Sequence, residues 1–163
     1  MKRLIKAIFK WGMIVTGAGF LLSQFVPYGR DHSNPPVQNE PEWDSLETRA
    51  LVERACLDCH SNETVWPWYS NVAPISWLVQ RDTMEGREEL NFSEWGTRGE
   101  GEEGEEMRES ILEGEMPLPV YLITHPEARL SELEQAQLIE GLLATAGDDP
   151  SFGSEEEGEE DDD

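Results

Sequence analysis

The chain has 163 residues and carries 35 acidic side chains against 12 lysines and arginines, a formal net charge of -23. That balance excludes nucleic-acid binding, which needs a basic footprint. The first thirty and last sixteen residues look unlike a folded globule, which leaves about 105 residues, enough for one compact core.

Lys2, Arg3, Lys6 and Lys10 precede an uncharged run from Trp11 to Pro27 that is rich in Ile, Leu, Val and Phe. As a helix, a run of about 17 residues covers about 25 Å, the short end for a membrane span, so thinning or partial burial of Ile8 and Phe9 is implied. A cleaved signal peptide is the alternative. Gly17-Ala18-Gly19 comes early, apolar residues follow it, and no A-x-A-like site closes the run, which favours an uncleaved anchor over residues 1–30. Four cations before the run against Arg30 after it place the amino end in the cytoplasm and the remainder on the periplasmic, extracytoplasmic side. Residues 31–43, with Pro35, Pro36 and Pro41, read as an extended stalk.

The next segment carries the chemistry. Both cysteines fall in Cys56-Leu57-Asp58-Cys59-His60, the C-x-x-C-H spacing of c-type haem attachment. Each thiol can add across one haem vinyl group, and the adjacent His60 can give a ring nitrogen to the iron as proximal ligand. A redox dithiol is a rival, but that motif heads a helix after a strand, where a thiol pKa is lowered. Here Glu47 to Leu57 reads as helix, with Leu46, Ala50, Leu51 and Ala55 on one face. A structural zinc site would need a fourth ligand from a distant His32 or His125. Haem attachment is the reading the spacing favours, with one haem c per chain.

Beyond the motif, a helix is expected from about Ala73 to Leu90, with Pro74 in its first turn and Ile75, Leu78 and Val79 on one face. The acidic Gly-Glu run at 99–104 buries nothing, and a third helix is expected over Glu105 to Glu113. For the last helix, Ser131 with Glu134 predicts a capping box, Ala136, Ile139, Leu142, Leu143 and Ala146 a core stripe, and Gly147 a C-cap. From Asp148 to Asp163 ten of sixteen residues are acidic, the composition of a solvated, disordered tail. The haem domain is thus expected over residues 44–147.

Iron held by His60 has a second face. Met84 and Met107 lie within expected helices and read as core or surface residues, while His32 lies in the stalk. Met116 follows the helix stop Gly114 and precedes Pro117, which excludes helical geometry and extends the chain at Met116. It is the favoured distal ligand, with an open or water-bound site and His125 as alternatives. Trp66, Trp68, Tyr69 and Trp77, with Phe92 and Trp95, crowd the stretch after His60; such rings can cover a porphyrin or simply fill a core. Asn62, Glu63, Ser93 and Glu94 are polar candidates for haem carboxylates or for helix caps.

Ala55 to Thr64, Trp66-Pro67-Trp68-Tyr69-Ser70, Asn91 to Trp95, Gly114-Glu115-Met116-Pro117 and His125 to Ser131 together resemble the bacterial haem-binding domain proteins. The resemblance covers roughly Pro35 to Thr145. It implies a small all-α, cytochrome c-like domain ordered as helix, C-x-x-C-H, intervening helices, Met-Pro loop and closing helix. The Gly-Glu insertion at 99–106 and the acidic tail depart from the family pattern.

Five of the twelve cations lie in the first thirty residues, so residues 31–163 carry seven arginines against 35 acids, a net -28. This charge can steer a basic redox partner, or keep the surface hydrated in high salt; its even distribution favours the second. The sequence therefore describes a membrane-anchored monohaem electron carrier, more an electron-transfer protein than an enzyme, with an unidentified redox partner. A peroxidase-like haem enzyme or a haem-based ligand sensor is the alternative, and would need an open distal side.

Overall fold

Helices account for nearly all regular structure in the computed structural model, which describes residues 1–96 and 104–148. In chain order they are α1 (Lys2–Ser23), α2 (Leu46–Ala55), α3 (Leu57–His60), α4 (Ile75–Glu89), α5 (Gly104–Leu112), α6 (Tyr121–Thr124) and α7 (Glu132–Asp148), with short 3-10 turns at Trp68–Asn71 and Pro126–Ala128. Among the described residues the one β-type pairing is an isolated bridge between Asn39 and Glu94. The fold is all-α, as expected. Most of the Gly-Glu insertion and nearly all of the acidic tail lie outside the described residues. Contacts divide the chain into two units, Met1–Ser33 with Val65–Glu85, and Asn34–Thr64 with the chain from Gly86 onward.

In the first unit, α1 begins nine residues before the uncharged run, at Lys2, and its 22 residues span about 33 Å. Long cationic side chains can lie along such a helix with their charges at its end, so the lysines do not interrupt it. The helix is long and apolar enough to cross a membrane. Just after it, the Gln24 amide satisfies both backbone groups of Ala73, Nε2 donating to the carbonyl at 2.7 Å and Oε1 accepting from the N–H at 3.2 Å. Gly29 has φ +75°, and a Cβ there would overlap the Ser76 carbonyl, so only glycine suits the position.

The second unit holds a core of Leu51, Val52, Leu57, Phe92, Trp95, Ile111, Leu138 and Leu142, with Trp43, Cys56, Leu90 and Met107 packed against it. Ser45 caps α2, its Oγ accepting from Thr48 N–H at 3.1 Å. The buried face of α2 is Thr48, Leu51, Val52 and Ala55, whereas Leu46 is 88% exposed and Ala50 also faces water. On α7 the buried positions are Leu138, Gly141, Leu142, Thr145 and Ala146, with Ala136 exposed. Both faces differ from the expected stripes for one reason. The two helices meet where Gly141 abuts Thr48; a Cβ at 141 would overlap the Thr48 hydroxyl and lie 2.7 Å from its Cγ2. A count of large apolar residues passes over the small and polar residues at that contact. On α4, likewise, the buried positions are Ser76 and Thr83, while Ile75 and Leu78 are exposed.

Two further expectations change. Residues 31–43 are expected as an extended stalk; within them Gln38 and Asn39 N–H donate to the Ser93 carbonyl and Trp95 N–H donates to Asn39 O. Asn34 donates to Thr64 O and Asn62 to Pro36 O. The prolines extend this segment, and its backbone groups find partners in the second unit rather than in water. Gly147, expected as the C-cap, lies inside α7, which runs through Asp148.

The capping box at Ser131 forms in full. Glu134 Oε2 accepts from Ser131 N–H at 2.7 Å and from its Oγ at 2.8 Å, and Ser131 Oγ accepts from Glu134 N–H at 3.3 Å. Arg54 Nη2 adds an ion pair to Glu134 at 2.5 Å, tying α2 to the start of α7. The Ser131 hydrogen bonds first, then Arg54, hold the Glu134 carboxyl down to about 2. Because the folded pKa lies below the unfolded carboxyl value of about 4.3, this stabilisation is complete above that value and is lost as pH falls through about 2. Urea melts taken from neutral pH down through this window are expected to show a steeper loss of stability in wild type than in Glu134→Gln. Parallel curves would contradict the assignment.

Candidate functional site

The C-x-x-C-H segment is wound around one carbonyl. Cys56 breaks the helix (φ -126°, ψ -41°) between α2 and α3. Its N–H still donates to Val52 O at 2.8 Å, while its own carbonyl accepts from Cys59 N–H at 3.1 Å and His60 N–H at 2.9 Å. The expected single helix through Leu57 is therefore two short helices meeting at Cys56. The two cysteines are not joined in a disulfide.

His60, the last residue of α3, is held from two sides by the chain that leaves α4. Its carbonyl accepts from Phe92 N–H at 2.9 Å, and its Nδ1 lies 3.2 Å from Leu90 O. A carbonyl can only accept, so Nδ1 carries the proton and the lone pair is on Nε2. Burial lowers the His60 pKa, favouring the neutral ring, against the pull of the Leu90 and Gly86 carbonyls and Glu89. A neutral imidazole with one nitrogen anchored on a backbone carbonyl is how a metal-binding histidine is commonly held.

α4 reaches the motif through Gly86. A Cβ at this position would sit 2.8 Å from Cys59 O and 3.1 Å from Cys59 Cβ, so the absence of a side chain sets how closely the helix and motif pack. The next residue, Arg87, donates from Nε to Ser61 O at 2.8 Å and from Nη2 to Asn34 Oδ1 at 3.0 Å and Thr64 Oγ1 at 2.9 Å. Asn62 is fastened to the chain after α4: its N–H donates to Ser93 Oγ, its Nδ2 to Glu94 Oε1, and its Oδ1 accepts from Asn91. Asn62, Ser93 and Glu94 thus form one polar network behind the motif. Gly86, Arg87 and the Leu90 carbonyl are the residues sequence reasoning missed. Their one signal was a glycine and an arginine late in a helical pattern.

Asp58, between the two cysteines, accepts a hydrogen bond from Tyr121 Oη at 2.8 Å. Burial and the Asp58 charge push the Tyr121 phenol up, so it stays a donor. His125 stacks on Tyr121 at 4.0 Å and its Nδ1 lies 3.2 Å from Tyr121 O. Met116 follows a Schellman turn: Gly114 has φ +73°, Gly114 N–H donates to Ile111 O, and Glu115 and Met116 N–H both donate to Ser110 O at 3.0 Å. This loop fixes the backbone at Met116 and leaves the residue 36% exposed. Met107 packs on the core, and Met84 is on the surface.

Cys56, Cys59, His60 and Met116 all belong to the second unit, while Trp66, Trp68, Tyr69 and Trp77 belong to the first. There, His32 stacks on Trp66 at 4.7 Å, Trp68 meets Tyr69 edge-on and is 79% exposed, and Trp77 Nε1 is buried without a hydrogen-bond partner. Phe92 and Trp95 are core residues of the second unit, stacked 5.7 Å apart.

The rival chemistries fit this arrangement poorly. A redox dithiol needs a lowered thiol pKa, but burial pushes Cys56 up to about 12, with Cys59 adding to the effect. A zinc site needs converging ligands, and among the described residues no three His, Cys, Asp or Glu side chains are grouped to hold a metal ion. A covalently attached haem would take two thiols that are not in a disulfide and a histidine ring that burial keeps neutral, and Cys56, Cys59 and His60 fit that requirement.

The contact at Gly86 is directly testable. Gly86→Ala should force α4 away from Cys59 and lower the yield of haem-loaded protein, measured by absorbance per chain. Gly147→Ala, where a Cβ meets nothing within 4 Å, should leave the yield unchanged. Equal yields from both variants would contradict a positioning role for Gly86.

Residues 18–144 match the family described as a haem-binding domain. No curated protein and no solved structure matches the chain. With most of its length matched, and with Cys56, Cys59 and His60 at and within α3, the chain belongs to the haem-binding domain family.

Proposed function

We propose that this protein carries one covalently attached c-type haem and transfers single electrons at the outer face of the cytoplasmic membrane. The observation that carries the reading is His60, neutral, with Nδ1 committed to Leu90 O and Nε2 left to bind iron. Cys56 and Cys59 supply the two thioether bonds, and Met116 on its hydrogen-bonded loop supplies the distal ligand. Bound haem provides a one-electron couple at its iron. The chain's own contribution is rigidity. His60 is neutral and its ring is fixed at Nδ1, and the thioether of Met116 does not titrate, so neither ligand has to gain or lose a proton when the charge changes. Methionine ligation and burial raise the potential.

The location rests on α1 and its flanking charges. Lys2, Arg3, Lys6 and Lys10 lie at its amino end, while Arg30 is the one cation between α1 and Arg49, an asymmetry that supports an outside position for the remainder of the chain. The partner is an as yet unidentified redox protein.

Coordination separates an electron carrier from an enzyme or sensor. Wild-type protein is expected to be low-spin and six-coordinate in both oxidation states and to resist carbon monoxide. Met116→Ala should open the site, lower the potential and create carbon monoxide binding, whereas Met84→Ala and Met107→Ala should do neither. A high-spin wild type that binds carbon monoxide readily, unchanged by Met116→Ala, would favour a peroxidase-like or ligand-sensing role.

A further inference from the structure

Among the described residues Arg87 has no acid as an ion-pair partner, in a chain that has 35 of them. Arg49, Arg54, Arg81 and Arg108 each meet a carboxylate within 2.5–2.8 Å. Arg129, which donates to Leu122 O, is exposed and can be served by water. Arg87 is half-buried, and its three hydrogen bonds go to neutral acceptors: the Ser61 carbonyl, the Asn34 amide oxygen and the Thr64 hydroxyl. Burial lowers its pKa, and the charges of Cys59 and then Glu94 work in the opposite direction. A guanidinium has five N–H donors. Nε and both hydrogens of Nη2 are used, which leaves the two on Nη1 for another acceptor.

A partly buried cation of this kind is expensive without an anion, because neutral acceptors replace hydration but do not balance charge. The same guanidinium is fixed beside the motif. It holds the carbonyl of Ser61, which follows His60, and its neighbour Gly86 abuts Cys59. Haem brings two carboxylates, and a guanidinium whose Nε and Nη2 are already fixed presents its Nη1 donors in a set direction, which a freely rotating ammonium does not. We propose that Arg87 binds a carboxylate of the attached haem through Nη1, and so acts as a cofactor-binding residue that also raises the potential. This rests on the haem reading above. The three neutral contacts hold the guanidinium plane, and with it Nη1, in place, and the added positive charge disfavours the ferric state.

The test uses haem-loaded wild type, Arg87→Gln and Arg87→Lys, with the reduction potential and the propionate bending band of the resonance Raman spectrum as readouts. Arg87→Gln should move the potential to more negative values and shift the band. Arg87→Lys should keep the potential near wild type yet still shift the band, because the charge remains and the fixed, directed Nη1 donors are lost. If Arg87→Gln does not accumulate, Arg87→Lys decides by its band alone. Potential and band unchanged in a protein that does carry haem would overturn the role of Arg87 and leave the functional reading intact. A wild type that never acquires haem would instead overturn the functional reading.

Discussion

The hydrogen bond between His60 Nδ1 and the Leu90 carbonyl is the constraint on which the proposed chemistry depends. Without it the ring is free to rotate and to exchange tautomers, and Nε2 is no longer the defined lone pair. The bond exists because α4 ends at Glu89 and its exit strip, Leu90 to Phe92, runs back along the motif, where Phe92 N–H takes the His60 carbonyl as well. A ligand anchored on backbone at both its ring and its carbonyl is held by the fold itself, and no flexible side chain is needed to orient it.

That anchoring in turn depends on small residues at contacts between helices. Gly86 lets α4 meet Cys59 closely, and Gly141 lets α7 meet Thr48 on α2. A methyl group at either place would meet atoms at 2.8 Å or less, and a closely packed interior responds to such an intrusion by moving apart, at about 1–3 kcal/mol. The core of Leu51, Val52, Leu57, Phe92, Trp95 and Leu138 surrounds these contacts and includes residues on both sides of the motif. Packing of the core and placement of the site are therefore the same problem in this fold.

The motif, the helical class and the capping box at Ser131 were legible in sequence because each depends on local spacing. The faces of α2 and α7 were not, since Thr48, Gly141 and Thr145 are buried for the closeness they permit rather than for hydrophobicity. Residues 31–43 read as a stalk because prolines hold them extended, and the pairing of Gln38 and Asn39 with Ser93 and Trp95 is a long-range choice invisible to a local window. Arg87 was equally hidden: its meaning lies in the missing carboxylate, which only three-dimensional neighbours reveal. The same holds for the hydrogen bond from Tyr121 to Asp58, which joins residues 63 apart in sequence.

Covalent attachment at Cys56 and Cys59 is the central claim, and intact-protein mass spectrometry after acid-acetone extraction tests it most directly. Protein matured with a c-type system should keep the mass of one haem on the chain. Cys56→Ala with Cys59→Ala should lose all haem to the organic phase. Complete extraction of haem from the wild-type chain, with the polypeptide left at its unmodified mass, would contradict the account.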